Sequence, residues 1–261
     1  MSAQAILLPN VDSSNFHQSS VDEIKKEYCF YMKTVQSNVI KQLIDAVKEI
    51  IVDTNIVFDK GGITIKAVDE PQNAIVHLQL HADKFEEYVC EEKYICGIAL
   101  IHFYKLLKTM SSTDVLMLFM RKNSRGTLEI RIENNKKAKT SHFKLHLLDL
   151  KKTNIESETP NFKQSIAICS QEFHKIIREM KDISNTLSIQ LFKNTLKFKA
   201  SGGFADAVIH LGIKNSDDNT VSKELVQGNF SLSYLQTFTK FTPLSKTVNL
   251  FLKNDYPLIL E

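Results

Sequence analysis

IKAVDEPQNAIVHL, Ile65 to Leu78, returns as FKASGGFADAVIHL at Phe198 to Leu211, at a constant offset and without a gap. Extended outward, Ser37 to Leu80 runs against Ser170 to Ile213. Identities fall at Lys48/Lys181, Ile50/Ile183, Ile56/Ile189, Lys60/Lys193, Lys66/Lys199, Ala67/Ala200, Ala74/Ala207, His77/His210 and Leu78/Leu211. Most other apolar positions keep an apolar residue. Two unrelated amphipathic segments can share a period. An ungapped run of identities through a helix, a turn and two strands is instead the mark of duplication. The chain is two copies of one domain. A weaker repeat sits inside each half, where LLKTMSSTDVLMLF from Leu106 stands beside FTKFTPLSKTVNLF from Phe238, so four related units are expected.

A chain of 261 residues with 43% hydrophobic content has room for two domains with real cores. The net charge of +3 is too small to announce a polyanion partner, so any nucleic-acid role must come from where the lysines sit. Cys29, Cys90, Cys96 and Cys169 form no CxxC pair and no metal spacing, which reads as free thiols in a reducing compartment. The longest apolar run, from Tyr94 to Tyr104, falls short of the roughly 20 residues a spanning helix needs. No basic-then-apolar leader opens the chain, and the expectation is a soluble intracellular protein without membrane contact.

Residues 1–28 are polar, Ser-rich and outside the repeat, and read as an N-terminal extension. The first domain spans 29–150. It reads as strand CFYMKTV, helix NVIKQLIDAVKEII, strands NIVF and ITIKAV joined through Lys60-Gly61-Gly62, and strand AIVHLQLHA. Glycine in that hairpin supplies the positive φ such turns need. A second helix, GIALIHFYKLLKTM, leads into strands VLMLFM, TLEIRIE and SHFKLHLLDL. Residues 151–162 are polar and extended around one proline, a linker. The second domain, 163–261, repeats the plan: strand FKQSIAIC, helix QEFHKIIREMKDI, strands LSIQLF, TLKFKA and ADAVIHLGI, helix SLSYLQTFTKF, and strands TVNLFL and PLILE. Ending on PLILE leaves an unpaired edge, so a further strand and tail are expected beyond it.

All four predicted helices carry Lys or Arg away from the apolar stripe. Lys41 and Lys48 are seven apart and share a face; Lys105 and Lys108 neighbour each other one turn apart. Lys175, Arg178 and Lys181 occupy the third helix and Lys240 the fourth. One lysine on a helix is ordinarily a solvated lysine, and recurrence in four helices is the signal. Side by side on one face of a sheet they would form a stripe suited to phosphates with no base-specific groups, diluted by Asp45, Glu172 and Glu179.

Enzymatic chemistry has little to stand on. Neither GxxxxGK[ST] nor GxGxxG is present, so nucleotides have no cradle. His77/His81 and His142/His146 lie four apart in strands without a third ligand, and no metal or other cofactor is expected. Glu129-Ile130-Arg131 resembles the ExK of metal-dependent nucleases but lacks the upstream Asp, so it reads as charge alternation on a strand surface. No catalytic residue is assigned.

With duplication, four helices and a linker established, the chain from Cys29 to Glu261 resembles the sliding clamps of the proliferating cell nuclear antigen family. FEEYVCEEKYICGIAL, LHLLDL, LKFKASG and FTKFTPLSKTVNLFL carry the resemblance. It implies an α+β fold of two duplicated clamp domains, antiparallel sheets outside and four helices lining the inner face of a ring. Three head-to-tail subunits would encircle duplex DNA without reading its sequence and act as a DNA polymerase processivity factor. The implied partners are polymerases, other clamp-binding replication and repair proteins, and an ATP-driven clamp loader. No enzymatic activity of its own is implied.

Carried over by position, Lys41, Lys48, Lys105, Lys108, Lys175, Arg178 and Lys240 match the family's DNA-facing cations, while Gln42 stands where a second basic residue beside Lys41 is usual. The resemblance places the subunit joint on two edges, Ala138 to His146 and Phe204 to Gly212, with Phe143, Leu145, Val208, Ile209 and Leu211 at the contact. A partner-peptide pocket beneath the linker would use Val68, Ile155, Tyr256 and Pro257. Ser157 and Asn73 replace apolar residues there, which points to a different peptide preference. That divergence and the extension lean toward the clamp of a large DNA virus. Other readings are one subunit of a hetero-oligomeric checkpoint-type clamp, or a monomeric polymerase accessory holding DNA by charge alone.

Overall fold

A computed structural model describes residue 24 and residues 26–151, 165–212 and 224–261. The strands are β1 (Tyr28–Thr34), β2 (Asp53–Asp59), β3 (Gly62–Val68), β4 (Ile75–His81), β5 (Glu87–Cys90), β6 (Tyr94–Ala99), β7 (Val115–Arg121), β8 (Ser124–Asn134) and β9 (Lys139–His146). They continue with β10 (Ser165–Cys169), β11 (Thr186–Phe192), β12 (Thr195–Ser201), β13 (Asp206–Gly212), β14 (Val226–Ser231), β15 (Thr247–Phe251) and β16 (Ile259–Leu260). The helices are α1 (Ser37–Val47), α2 (Leu100–Leu107), α3 (Ser170–Lys181) and α4 (Leu232–Phe238). The chain divides into two compact units, one of residues 1–41, 52–68 and 75–153, the other of 42–51, 69–74 and 154–261. No helix among the described residues is long and apolar enough to cross a membrane.

In the first unit the strands form two antiparallel sheets, ordered β5-β1-β7-β8-β9 and β4-β3-β2-β6. Alternation decides which side is buried. Met32, Leu118 and Ile130 lie in register across the middle of the larger sheet and are at most 3% exposed. Helix α2 adds Leu100, Phe103 and Leu107, spaced to make one apolar stripe. The Leu100 N–H donates to Val52 O at 2.9 Å, fixing where the helix starts.

In the second unit the sheets are β13-β12-β11-β14 and β10-β15-β16. Helix α3 buries Phe173, Ile176, Ile177 and Met180 against Leu187, Ile189, Leu196 and Phe198. Leu232 and Leu235 of α4 join the same core. Helix α4 is short because Pro243 lies close behind it. A 3-10 stretch, Thr239–Leu244, follows and carries Lys240, which therefore does not belong to the α-helix expected from SLSYLQTFTKF.

The duplication is visible in the pairing, with one departure. Ile56 faces Ile65 in the first half, and their counterparts Ile189 and Phe198 face each other in the second. The next hairpin shifts by two residues: Lys66 faces His77, whereas Lys199 faces Val208 rather than His210. An ungapped sequence match thus covers a change of register. The shift is even, so every side chain keeps its face of the sheet. Its cause lies in the connections. Pro71 and the Asp69 cap hold the 69–74 loop open, while Gly202-Gly203 lets the second loop close early, with Gly202 N–H donating to Ala205 O at 2.9 Å.

Other expectations need correcting. GIALIHFYKLLKTM is not all helix, since Gly97–Ala99 complete β6. The Cβ of any larger residue at Gly97 would lie 2.2 Å from Leu148 O, across an isolated bridge that continues the sheet. A strand buried on both faces shows no alternation and reads like the helix it precedes. Short β5 and polar β14 escaped for want of a hydrophobic pattern. Helix α1 ends at Val47, so Lys48 falls just beyond it. In the β2–β3 hairpin the positive φ, +135°, belongs to Gly62, where a Cβ would meet Leu80 O at 1.9 Å.

Candidate nucleic-acid and subunit interfaces

The cations expected on the helices fall into two groups. Lys105 and Lys108 are exposed on α2 and at its end, and Lys175 and Arg178 are exposed on α3; none has an ion-pair partner among the described residues. The others are committed internally. Lys41 Nζ donates to Met110 O at 2.7 Å. Lys181 Nζ donates to Asn185 Oδ1 at 2.7 Å and Ser233 Oγ at 2.8 Å. Lys48 Nζ lies 2.9 Å from Asp45 and 2.5 Å from Glu49, its side chain 11% exposed. Burial is the largest influence on Lys48 and disfavours its charge, but Glu49 and Asp45 together outweigh it and raise the pKa. The same hydrogen bond from Lys48, helped by Lys240 at 3.4 Å, lowers the pKa of Glu49. Glu49 thus gathers Lys48 and Lys240 into one cluster and neutralises much of their charge, a role no sequence signal announced.

Both expected subunit edges are sheet edges. Strand β9 ends the order β5-β1-β7-β8-β9, and β13 ends β13-β12-β11-β14, so each has one row of N–H and C=O groups with no strand partner among the described residues. The five contact residues divide by face. Phe143 faces Ile130 and Leu145 faces Leu128, on the buried side of their sheet, and Leu145 is 9% exposed. Ile209 and Leu211 pack on the core of the second unit. Val208 points the other way and is 49% exposed.

Of the pocket residues, Val68 is half-buried at the end of β3 and paired with Ile75. Tyr256 is half-buried after β15 with Lys253 Nζ 5.7 Å from its ring centroid, and Pro257 is exposed. Ile155 lies outside the described residues.

Glu129 overturns the reading of ExR as surface alternation. It is 2% exposed, and accepts from Arg121 Nε at 2.9 Å while its other oxygen meets His142 Nε2 at 2.7 Å. Phe119 stacks on the His142 ring, and the Arg121 guanidinium lies over Tyr28 and Phe119. A buried carboxylate needs such partners; they sit on three strands and are invisible to any one-dimensional pattern. Among the described residues no three His, Cys, Asp or Glu side chains cluster as metal ligands. All four cysteines are free, and burial pushes the Cys90 and Cys96 thiols up to about 12.

Duplicated antiparallel sheets with four helices, edge strands at β9 and β13, and cations on α2 and α3 without ion-pair partners among the described residues define a protein of the clamp fold. The chain belongs to the proliferating cell nuclear antigen family: residues 29–157 match its N-terminal domain and 156–261 its C-terminal domain. It is 32% identical over 237 residues to a probable DNA polymerase sliding clamp of Paramecium bursaria Chlorella virus 1, covering 89% of this chain and 90% of that protein. It is also 28% identical over 241 residues to the proliferating cell nuclear antigen of Dictyostelium discoideum, covering 89% of this chain and 93% of the other.

Proposed function

We propose that the protein is a DNA sliding clamp and polymerase processivity factor: three copies close head to tail around duplex DNA and hold a polymerase on it. The observation that carries this is the set of exposed, unneutralised cations on α2 and α3 within a chain that matches the clamp family along both domains. Few contacts suffice when the hold is topological, because a closed ring cannot leave sideways. Loss of Lys41, Lys48, Lys181 and Lys240 to internal partners counts against holding DNA by charge alone. The cations offer phosphates a surface without base-reading groups, so binding is not sequence-specific. The work is mechanical, with no catalytic step in the clamp.

Ring closure rests on β9 and β13. They differ in character, which favours head-to-tail pairing: β9 carries Lys139 and Lys144, which discourage an edge from pairing with its own copy, while β13 has no lysine and begins with Asp206. One kind of chain therefore supplies both halves of the joint. The second domain division (29–150 and 163–261 around a linker at 151–162), the peptide pocket at Val68, Ile155, Tyr256 and Pro257, and a loader ATPase belong to the same proposal.

The test is primer extension by a replicative polymerase on circular and linear templates. A clamp lengthens products on circles, and less on linear DNA with free ends, where a ring slides off. Equal stimulation of both would refute the topological hold.

A further inference from the structure

We infer that Glu49 is a brake on the DNA grip: its carboxylate holds Lys240 back from phosphates, and removing that negative charge tightens the hold on duplex DNA. This rests on the clamp reading above and deepens it. Lys240 Nζ lies 3.4 Å from Glu49 Oε1, its one ion-pair partner among the described residues, and 47% of the lysine side chain is exposed. So long and exposed a pair contributes little to the fold. Its effect falls on a ligand instead, because a carboxylate beside the cation both occupies it and repels an arriving phosphate.

Lys48 is what keeps Glu49 in this role. Its Nζ donates to Glu49 Oε1 at 2.5 Å, which fixes the carboxylate in place, and that hydrogen bond, with Lys240 adding to it, holds the carboxyl below its usual range. Lys48 is itself shared with Asp45 at 2.9 Å. Asp45, Lys48, Glu49 and Lys240 therefore carry two charges of each sign and present no net charge to DNA. Neutralising Glu49 leaves one positive charge over. Asp45 still holds Lys48, so the cation released is Lys240.

The internal repeat supplies the control. Lys240 stands where Lys108 stands in the paired stretches from Phe238 and Leu106, yet Lys108 is exposed with no ion-pair partner among the described residues. Asp182 follows Lys181 as Glu49 follows Lys48, yet Lys181 turns to Asn185 and Ser233, and Asp182 makes no ion pair among the described residues. Both halves thus own the lysines and the carboxylate, and only one joins them. The 3-10 stretch carrying Lys240 packs on α3, which bears Lys175 and Arg178, all within the second unit. A released Lys240 would join cations already present there. A ring that holds by topology gains from such restraint, since every phosphate contact must break when it slides.

Fluorescence anisotropy of the full chain on a short DNA duplex, across salt, compares the wild type with Glu49→Gln and with Glu49→Gln/Lys240→Gln. Glutamine keeps the shape and one acceptor oxygen for Lys48, so melting should be close to that of the wild type. Glu49→Gln should bind roughly three- to tenfold tighter near 0.1 M salt, with the slope of log K against log salt steeper by about one. The double variant should return to wild-type affinity and slope. Unchanged affinity in Glu49→Gln would overturn the brake, and a gain that survives in the double variant would overturn Lys240 as the cation released. Primer extension on circular templates separates this from the clamp reading. Stimulation by the wild type, with Glu49→Gln binding DNA no tighter, removes the brake and leaves the clamp standing; no stimulation by the wild type removes the clamp reading itself.

Discussion

The Tyr234 hydroxyl donates to Asp69 Oδ2 while Oδ1 of the same carboxylate accepts the Asn73 and Ala74 N–H groups at 2.8 Å each. One buried side chain thereby shapes the 69–74 loop and ties it to α4. Burial, the largest influence, would raise the Asp69 pKa, but Tyr234 and the two backbone donors outweigh it and the net shift is downward. A depressed folded-state pKa contributes stability above the unfolded value, near 4, that is lost as pH falls through the folded value. Tyr234→Phe should therefore lower the melting temperature by a few degrees at neutral pH, and the difference from wild type should shrink toward nothing in strong acid. Calorimetry from pH 7 down to pH 3 checks this; a difference constant across the range would contradict it.

The two groups of cations should respond differently. Replacing Lys105 and Lys108 by Glu places repulsion where phosphates would lie, so clamp-dependent synthesis should fall and the salt slope of DNA binding should drop by about one per lost contact. Sedimentation should remain that of the wild type. Lys48→Ala should barely move DNA binding, because its charge is already spent on Asp45 and Glu49, but should lower thermal stability slightly. Equal effects on DNA from both changes would show that the exposure difference is irrelevant.

The duplication and the sheet-and-helix plan could be read from the sequence, because hydrophobic period and repeated identities encode them locally; the edge strands came only from the resemblance to the clamp family. Register could not: the two-residue shift between Lys66–His77 and Lys199–Val208 hides beneath a perfect ungapped match. The helix cations were legible as positions but not as states. Whether a lysine is free depends on Glu49 or on the Met110 carbonyl, far from it or unremarkable in sequence. The Glu129 network required the fold.

Glu129 should be among the residues least tolerant of truncation. Glu129→Ala removes the buried carboxylate that joins Arg121 and His142, leaving Arg121 only its pairing with Glu27 and His142 without that contact. A fully buried pair broken this way costs about 3–5 kcal/mol, but Arg121 is 38% exposed and water screens part of the loss, so roughly 1–3 kcal/mol is expected. Glu129→Gln keeps one acceptor oxygen and should recover part of it. Denaturant titration of both variants checks the order; equal stability of Ala and wild type would mean that the carboxylate contributes nothing net.

Phe143 and Val208 separate the fold from the joint. Both lie on edge strands, but Phe143 faces the buried side opposite Ile130, whereas Val208 is 49% exposed. Phe143→Ala removes packing inside its own unit as well as at the edge, and should lower both the melting temperature and the trimer mass; at a half-buried site the fold should lose about 1–3 kcal/mol. Val208→Asp adds a charge on the outward face and removes nothing from the core, so the melting temperature under conditions where the chain is monomeric should stay within about a degree or two of wild type. Its trimer should nevertheless dissociate at higher concentration. Light scattering together with thermal melting distinguishes the cases: a mass near three times 29.8 kDa for Val208→Asp at low concentration would remove β13 from the joint.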